Sequence, residues 1–327
     1  MHDPDAISDP ILLNEWHPLL ASADLPDGKP VAARVLGQDV VLWRCQGRAT
    51  AWQDLCIHRG AKLSLGRVQG DTLACPYHGW TYNGEGRCVS IPAHPGMVPP
   101  ARARTNVYRV QERFGLVWVC LGEPASDLPD YPEWADGAYR HDICGPYRFH
   151  AAGPRIMENF FDVGHFAFVH DGLLGDSGHP EIGEHKAVMT DEGIVVDDIR
   201  VWQPSHSSST SGGDVRYGFR IFRPFTAQFT KVAGSQRIIQ RLIATPVTRT
   251  LSLGWMLRCM NFGLDEPAGK FLEFEDFLAN QDIPIVESQR PENLPLDLQS
   301  ELHLRSDRVA IAYRQWLRKL GLSYGTA

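Results

Sequence analysis

The 327-residue chain is long enough for two hydrophobic cores, and its 43% hydrophobic content is ordinary for globular domains. A net charge of −7 and the absence of a polybasic run argue against nucleic acid or an anionic membrane surface as partner. No apolar run reaches transmembrane length, Met1–Asp5 does not resemble a signal peptide, and the seven cysteines show no disulfide framework, so a reducing cytoplasm is expected.

Residues 31–121 read as short strands broken by turns: Val31–Leu36, Asp39–Cys45, Thr72–Cys75, Val107–Gln111 and Gly115–Leu121. The breaks carry Asp27-Gly28, Gln46-Gly47, Gln69-Gly70 and Asn83-Gly84, the last a strong hairpin signal. Two mixed pairs stand at the tip of this all-β region, Cys56-Ile57-His58 and Cys75-Pro76-Tyr77-His78. Each short loop delivers one thiolate and one imidazole, the set that holds a Rieske [2Fe–2S] cluster, with its potential raised above that of an all-cysteine ferredoxin. Gly60 and Gly79 would let backbone amides approach the cluster sulfurs. Tetrahedral zinc takes the same four residue types, but zinc signatures usually keep like ligands together.

Residues 122–148, rich in Pro, Gly and Asp, read as a packed linker, which puts the domains at 1–121 and 122–327. A helix is expected over Arg155–Phe168, followed by a loop and by strands near Ile194–Gln203, Val215–Phe222, Arg237–Thr245 and Thr250–Met260. Helices near Asp265–Asn280 and Asp307–Leu320 close the chain. His206–Gly213, rich in Ser and Gly, reads as a solvated hairpin loop, with a lid over an active site as the alternative.

A second metal site is expected around residues 157–170. Glu158, Asp162 and His165 fall at i, i+4 and i+7, on one helix face. His165 and His170 are five apart and can meet at one metal only if the helix loosens or ends between them; Asp171-Gly172 offers a stop. Two histidines and a carboxylate on one side of iron form the facial triad of non-haem Fe(II) oxygenases. Asp276, Asp282 and Glu287 are all candidates for the carboxylate, and spacing does not choose among them. Asp162, one turn before His165, could accept that imidazole's N–H and fix its tautomer.

Candidate pocket residues are Phe160, Phe161, Phe166, Leu173, Trp202, Phe219 and Met256. Arg216 and Arg220 share a strand face opposite Tyr217, Phe219 and Ile221, and solvent or a subunit contact is the favoured place for them. Were they to line the cavity, an aromatic carboxylate or sulfonate would be favoured.

Taken together, C-I-H-R-G-A-K-L-S-L-G (56–66), C-P-Y-H-G-W-T-Y (75–82), E-N-F-F-D-V-G-H-F-A-F-V-H (158–170) and Q-D-I-P-I-V-E-S-Q (281–289) resemble the oxygenase (α) component of Rieske non-haem iron oxygenases. Within the family the chain resembles the hydroxylases of saxitoxin biosynthesis and the caffeine N-demethylases. The resemblance implies an α+β chain: an N-terminal all-β Rieske domain, then a helix-grip (START/Bet v1-like) catalytic domain with a curved antiparallel sheet. It assigns the cluster to Cys56, His58, Cys75 and His78, and one Fe(II) per subunit to His165, His170 and Asp282. Asp162 matches the family's bridging aspartate between subunits, and Asn159 a polar residue near the iron. Ala61 and Tyr77 stand where respiratory Rieske proteins carry a further cysteine pair, so the soluble oxygenase type is implied. The implied activity is monohydroxylation, or oxidative N- or O-demethylation, of a small alkaloid-like or aromatic substrate with O₂. Electrons would come from a separate NAD(P)H-dependent flavin/iron–sulfur reductase, directly or through a ferredoxin, to a homotrimer. Ring dioxygenation of an aromatic carboxylate or sulfonate is the alternative, and a soluble Rieske electron carrier is the rival from another class.

Overall fold

The structure is a computed structural model and describes residues 4–204 and 212–327; most of the serine-rich stretch expected to form a loop or lid lies outside them. The chain divides into two compact units, the first ending at Leu128 and the second starting at Pro129. The boundary drawn from the sequence lies at residue 121.

In the first unit a one-turn helix, α1 (Pro10–Leu13), is capped by the Asp9 carboxylate and precedes ten strands. These are β1 (His17–Ala21), β2 (Val31–Val35), β3 (Gln38–Cys45), β4 (Arg48–Gln53), β5 (Arg67–Gln69), β6 (Thr72–Ala74), β7 (Thr81–Asn83), β8 (Cys88–Ser90), β9 (Val107–Arg113) and β10 (Leu116–Cys120). A six-stranded sheet runs β1-β10-β9-β4-β3-β2, and a four-stranded sheet runs β5-β6-β7-β8. Gln46-Gly47 closes the β3–β4 hairpin with both φ angles positive, the backbone whose twist matches its flanking strands. Asn83-Gly84 behaves differently from its sequence signal. The Asn83 carboxamide accepts the amides of Glu85 and Arg87, and the positive φ falls on Gly86, giving a wider loop. Trp43, Trp52, Tyr82, Leu63 and Leu73 are buried in one cluster with Cys56 and Cys75. The same aromatic packing that holds the sheets together therefore fixes the bases of both cysteine loops.

The second unit is built on a seven-stranded antiparallel sheet, ordered β11-β17-β16-β15-β14-β13-β12. Its strands are β11 (Arg140–Phe149), β12 (Lys186–Thr190), β13 (Gly193–Gln203), β14 (Gly213–Arg223), β15 (Thr226–Ala233), β16 (Gln236–Pro246) and β17 (Ser252–Met260). Its helices are α2 (Gly153–Phe161), α3 (Phe166–Val169), α4 (Ala268–Ser288) and α5 (Arg308–Leu320). Three expectations are corrected here. The supposed linker contains β11, whose glycine and proline sit at a bulge between Cys144 and Tyr147 rather than in a loop. The expected helix 155–168 stops at Phe161. And α4 continues past Asn280 through Pro284 to Ser288, carrying Asp282 inside it.

Buried charge anchors α2. The Arg314 guanidinium on α5 donates to both oxygens of Glu158, at 2.7 and 2.8 Å, and pairs with Glu301. Arg155 donates to the other Glu301 oxygen at 2.7 Å. Burial alone would raise the Glu301 carboxyl, but hydrogen bonds from Arg155 and Arg314 hold it below the usual carboxylate range. Glu158 is thus spent on structure and does not join the metal-facing set that its helical spacing suggested. Arg314→Met should leave Glu158 and Glu301 to share Arg155 alone and lower the unfolding free energy of the second unit by about 2–4 kcal/mol in denaturant titrations. The deficit should grow as pH rises through the carboxylate range, because the lowered Glu301 pKa contributes stability only where that group is ionised; a loss below about 1 kcal/mol would mean the network is dispensable.

Candidate functional site

In the first unit the two cysteines lie inward and the two histidines outward. Cys56 and Cys75 are buried, His58 is half-buried and His78 is exposed. Gly60 and Gly79 both adopt positive φ, yet their own N–H groups donate to the carbonyls of Cys56 and Cys75, at 2.9 and 3.1 Å. They close the loops instead of facing sulfur. The amides that reach the Cys75 sulfur belong to Tyr77 and His78, and they favour thiolate against the opposing effect of burial. The Tyr82 hydroxyl lies 3.1 Å from the Cys56 sulfur. The His58 ring stacks on Trp80 at 4.4 Å and meets His78 edge-on at 4.6 Å. Desolvation and the neighbouring His78 lower the His58 pKa, favouring the neutral imidazole that a metal needs, and its buried Nδ1 has no hydrogen-bond partner.

The second site forms where α2 breaks. Asp162 leaves the helix with extended backbone, its carboxylate accepts the Gly164 amide at 2.7 Å, and the chain re-enters one turn of helix at α3. His165 and His170 are the residues flanking that turn. The long helix ends before His165, and the turn between the two histidines stops at His170, directly before Asp171-Gly172, which frees both rings from one helical phase. Both histidines aim Nε2 at one oxygen of Asp282, at 3.5 Å from His165 and 3.2 Å from His170. Ligand atoms of the three residues all lie within 4.8 Å of one another. Among the described residues these are the His, Cys, Asp and Glu side chains whose ligand atoms converge in this way. Nε2 of His165 and Oδ1 of Asp282 are buried without a hydrogen bond. Buried polar atoms aimed at one point, with no partner of their own, fit a cation.

The remaining candidate carboxylates are engaged elsewhere. Asp276 accepts the Tyr147 hydroxyl and Glu287 accepts the His150 amide, both at 2.7 Å. The far sides of the two rings are held as well. His165 Nδ1 lies 3.4 Å from the Asp162 carboxylate, as its spacing predicts. His170 Nδ1 donates to Oε1 of Gln281 at 2.8 Å, a partner the sequence reading missed although it immediately precedes Asp282. These contacts fix the tautomers that leave both Nε2 lone pairs free.

The triad borders a cavity of about 280 Å³ between the sheet and α4. Asn159, Phe160, Phe166, Leu173 and Met256 line it as expected. Phe161 packs instead against Tyr313, and Trp202 stacks on His179. Phe219 lies beside the lining residues Phe160 and Phe229. Arg216 and Arg220 are exposed, on the strand face opposite Tyr217. A buried chain of Gln240, Glu275, Arg258 and Asp142 crosses the wall, with Gln240 donating to Glu275 at 2.8 Å and Arg258 pairing with Glu275 at 3.1 Å.

Known proteins share this layout. Residues 15–109 match the Rieske [2Fe-2S] domain, and residues 149–323 match the vanillate O-demethylase oxygenase C-terminal domain. The methylxanthine N1-demethylase NdmA of Pseudomonas putida is 30% identical over 324 residues, covering 93% of this chain and 88% of its own length. TsaM2 of Comamonas testosteroni, described as a putative toluene-4-sulfonate monooxygenase iron–sulfur subunit, is 30% identical over 302 residues, 79% of this chain and 81% of its own. The NdmA structure with caffeine superposes with a TM-score of 0.83 at 29% identity, covering 95% of this chain and 91% of that one.

Gln281→Ala should weaken mononuclear iron binding by about 10–100-fold in competition with a chelator while the visible spectrum of the first unit stays unchanged. Unaltered iron retention would mean that the His170–Gln281 contact does not orient the ring.

Proposed function

The chain belongs to the Rieske non-haem iron oxygenases, and from that membership we propose how its residues divide the work. It is an oxidoreductase that uses O₂ and reductase-supplied electrons on a small organic molecule. Cys56, His58, Cys75 and His78 hold the [2Fe–2S] cluster, and His165, His170 and Asp282 hold the single iron. The observation that carries this reading is the convergence of the two histidines and Asp282, with unpartnered buried atoms, on one edge of an apolar cavity. When bound, the cluster supplies electrons singly and the mononuclear iron activates dioxygen.

The remaining roles belong to the chain itself. Buried Cys56 and Cys75 keep water from the sulfur side, while exposed His78 offers the route by which electrons enter and leave. Asp162, half-exposed and bonded to His165 Nδ1, is placed to accept a proton-bearing imidazole from a neighbouring subunit on its free side and so couple the two metal sites. Asn159 lines the cavity beside the triad and can hydrogen-bond a substrate or water there. The aromatic walls bury the substrate and hold a C–H bond toward the triad. One oxygen atom of O₂ would enter that bond and the other leave as water, consuming two reductase-supplied electrons and two protons; where the carbon is an N- or O-methyl, the hydroxymethyl product breaks down to formaldehyde and the demethylated compound.

A homotrimer and a cytoplasmic location complete the proposal. Among the described residues no helix is long and apolar enough to cross a membrane. A separate reductase supplies the electrons; part of this chain, 117 residues, is also 42% identical to the oxidoreductase NdmD of P. putida. Demethylation or monohydroxylation is supported by the full-length similarity to N-demethylases.

Asp282→Ala should lose the mononuclear iron and all turnover while keeping the cluster's absorption spectrum; retained iron and activity would reject the ligand. Asp162→Asn should keep both metals and slow turnover by about 10–100-fold. Normal electron transfer between the sites in that variant would remove Asp162 from the path.

A further inference from the structure

One charge in the cavity has no counterpart. Lys231 lies on β15, paired in register with Tyr217 of β14 on one side and Ile238 of β16 on the other, and its side chain lines the cavity with theirs. It makes no ion pair or hydrogen bond with any described residue, and its Nζ lies 6.0 Å from the centroid of the Tyr217 ring. Residues 205–211 contain no carboxylate that could supply one.

The other charged groups lining the space are committed. Arg258 from β17 and Glu275 from α4 neutralise each other, and Asp282 faces His165 and His170. The rest of the wall is mainly aromatic and aliphatic, with Phe229, Met260, Phe271 and Phe274 prominent. An isolated ammonium in such a wall costs free energy unless something pairs with it. Burial pulls the Lys231 pKa down to about 8. The amine is therefore still mostly charged near neutrality.

We propose that Lys231 anchors the oxyanion of a singly charged aromatic acid, a carboxylate or sulfonate, with the ring against the aromatic wall and the reacting carbon toward the triad. This rests on the cavity being the substrate site of the oxygenase described above. A volume of about 280 Å³ is just below the usual range of about 300–1,000 Å³ for ligand pockets, which suits a one- or two-ring molecule. Lys231 comes from β15, whereas the triad comes from the α2–α3 break and α4; an anion held at Lys231 would therefore orient the ring relative to the iron.

The test uses the reconstituted enzyme and calorimetric titration with 4-methoxybenzoate, 4-toluenesulfonate, their neutral amides and caffeine, at pH 7 and pH 9.5. Either acid should bind at least about tenfold more tightly than its amide at pH 7, as a charge-assisted contact requires. The relative affinities of the two acids separate carboxylate from sulfonate. Because the amine loses its proton above about 8, the preference should shrink at pH 9.5. Lys231→Met should abolish the preference for acid over amide, and Lys231→Arg should keep it. Equal affinity for acid and amide, or an unaltered preference in Lys231→Met, would overturn the anchor. Product analysis by mass spectrometry separates this from failure of the oxygenase reading. Acids that bind through Lys231 without oxygen-dependent product sustain the anchor and count against the oxygenation. Caffeine demethylated equally by wild type and Lys231→Met, with no preference for acids, sustains the oxygenation and sinks the anchor.

Discussion

The site depends on one interruption in one helix. Two histidines five residues apart cannot face the same point from a continuous α-helix, since five residues turn the chain through well over a full revolution. The break at Asp162 resolves this. Its side chain caps the Gly164 amide and reaches the His165 ring, so the residue that ends the helix also orients the first ligand. The buried Arg314–Glu158–Glu301–Arg155 network holds α2 in place on the other side of the break. Without that anchor the interruption would leave a loose loop; with it, the one-turn helix that follows presents both imidazoles to Asp282.

Asp282 comes from the middle of α4, the helix that also closes the cavity. Gln281 and Asp282 are consecutive, yet one holds the His170 ring from behind and the other faces its lone pair. This is possible because adjacent helical residues point about 100° apart and His170 sits between the two directions. The same helix contributes Glu275 to the neutral wall pair and Phe271 and Phe274 to the apolar wall. One helix therefore supplies both the carboxylate of the triad and part of the cavity wall.

Much of this was legible in the chain. The mixed Cys–His pairs state their chemistry through residue type and spacing alone, and the alternating segments 194–203 and 215–222 gave two strands of the large sheet. Other features needed coordinates. Arg140–Phe149 hid as a linker because its Gly145-Pro146 sits at a bulge, where a strand tolerates both. Pro284 obscured the length of α4, since a proline normally marks a helix end. Arg216 and Arg220 on β14 are exposed, as the favoured reading had them, whereas Lys231 lines the cavity from β15, a strand the periodicity did not pick out. Asn83-Gly84 carried a two-residue hairpin signal and formed a wider loop, because Asn83 caps the amides that such a hairpin would leave to its strands.

The most direct test of the two-histidine, one-aspartate centre is electron paramagnetic resonance of the anaerobically reduced, iron-reconstituted protein exposed to nitric oxide, with and without 4-methoxybenzoate. A high-spin ferrous–nitrosyl signal distinct from that of the reduced cluster, changing shape when the acid is added, is the predicted result. It would place an open iron coordination position beside the cavity. A spectrum containing only the cluster signal would contradict the account and leave the chain an electron carrier.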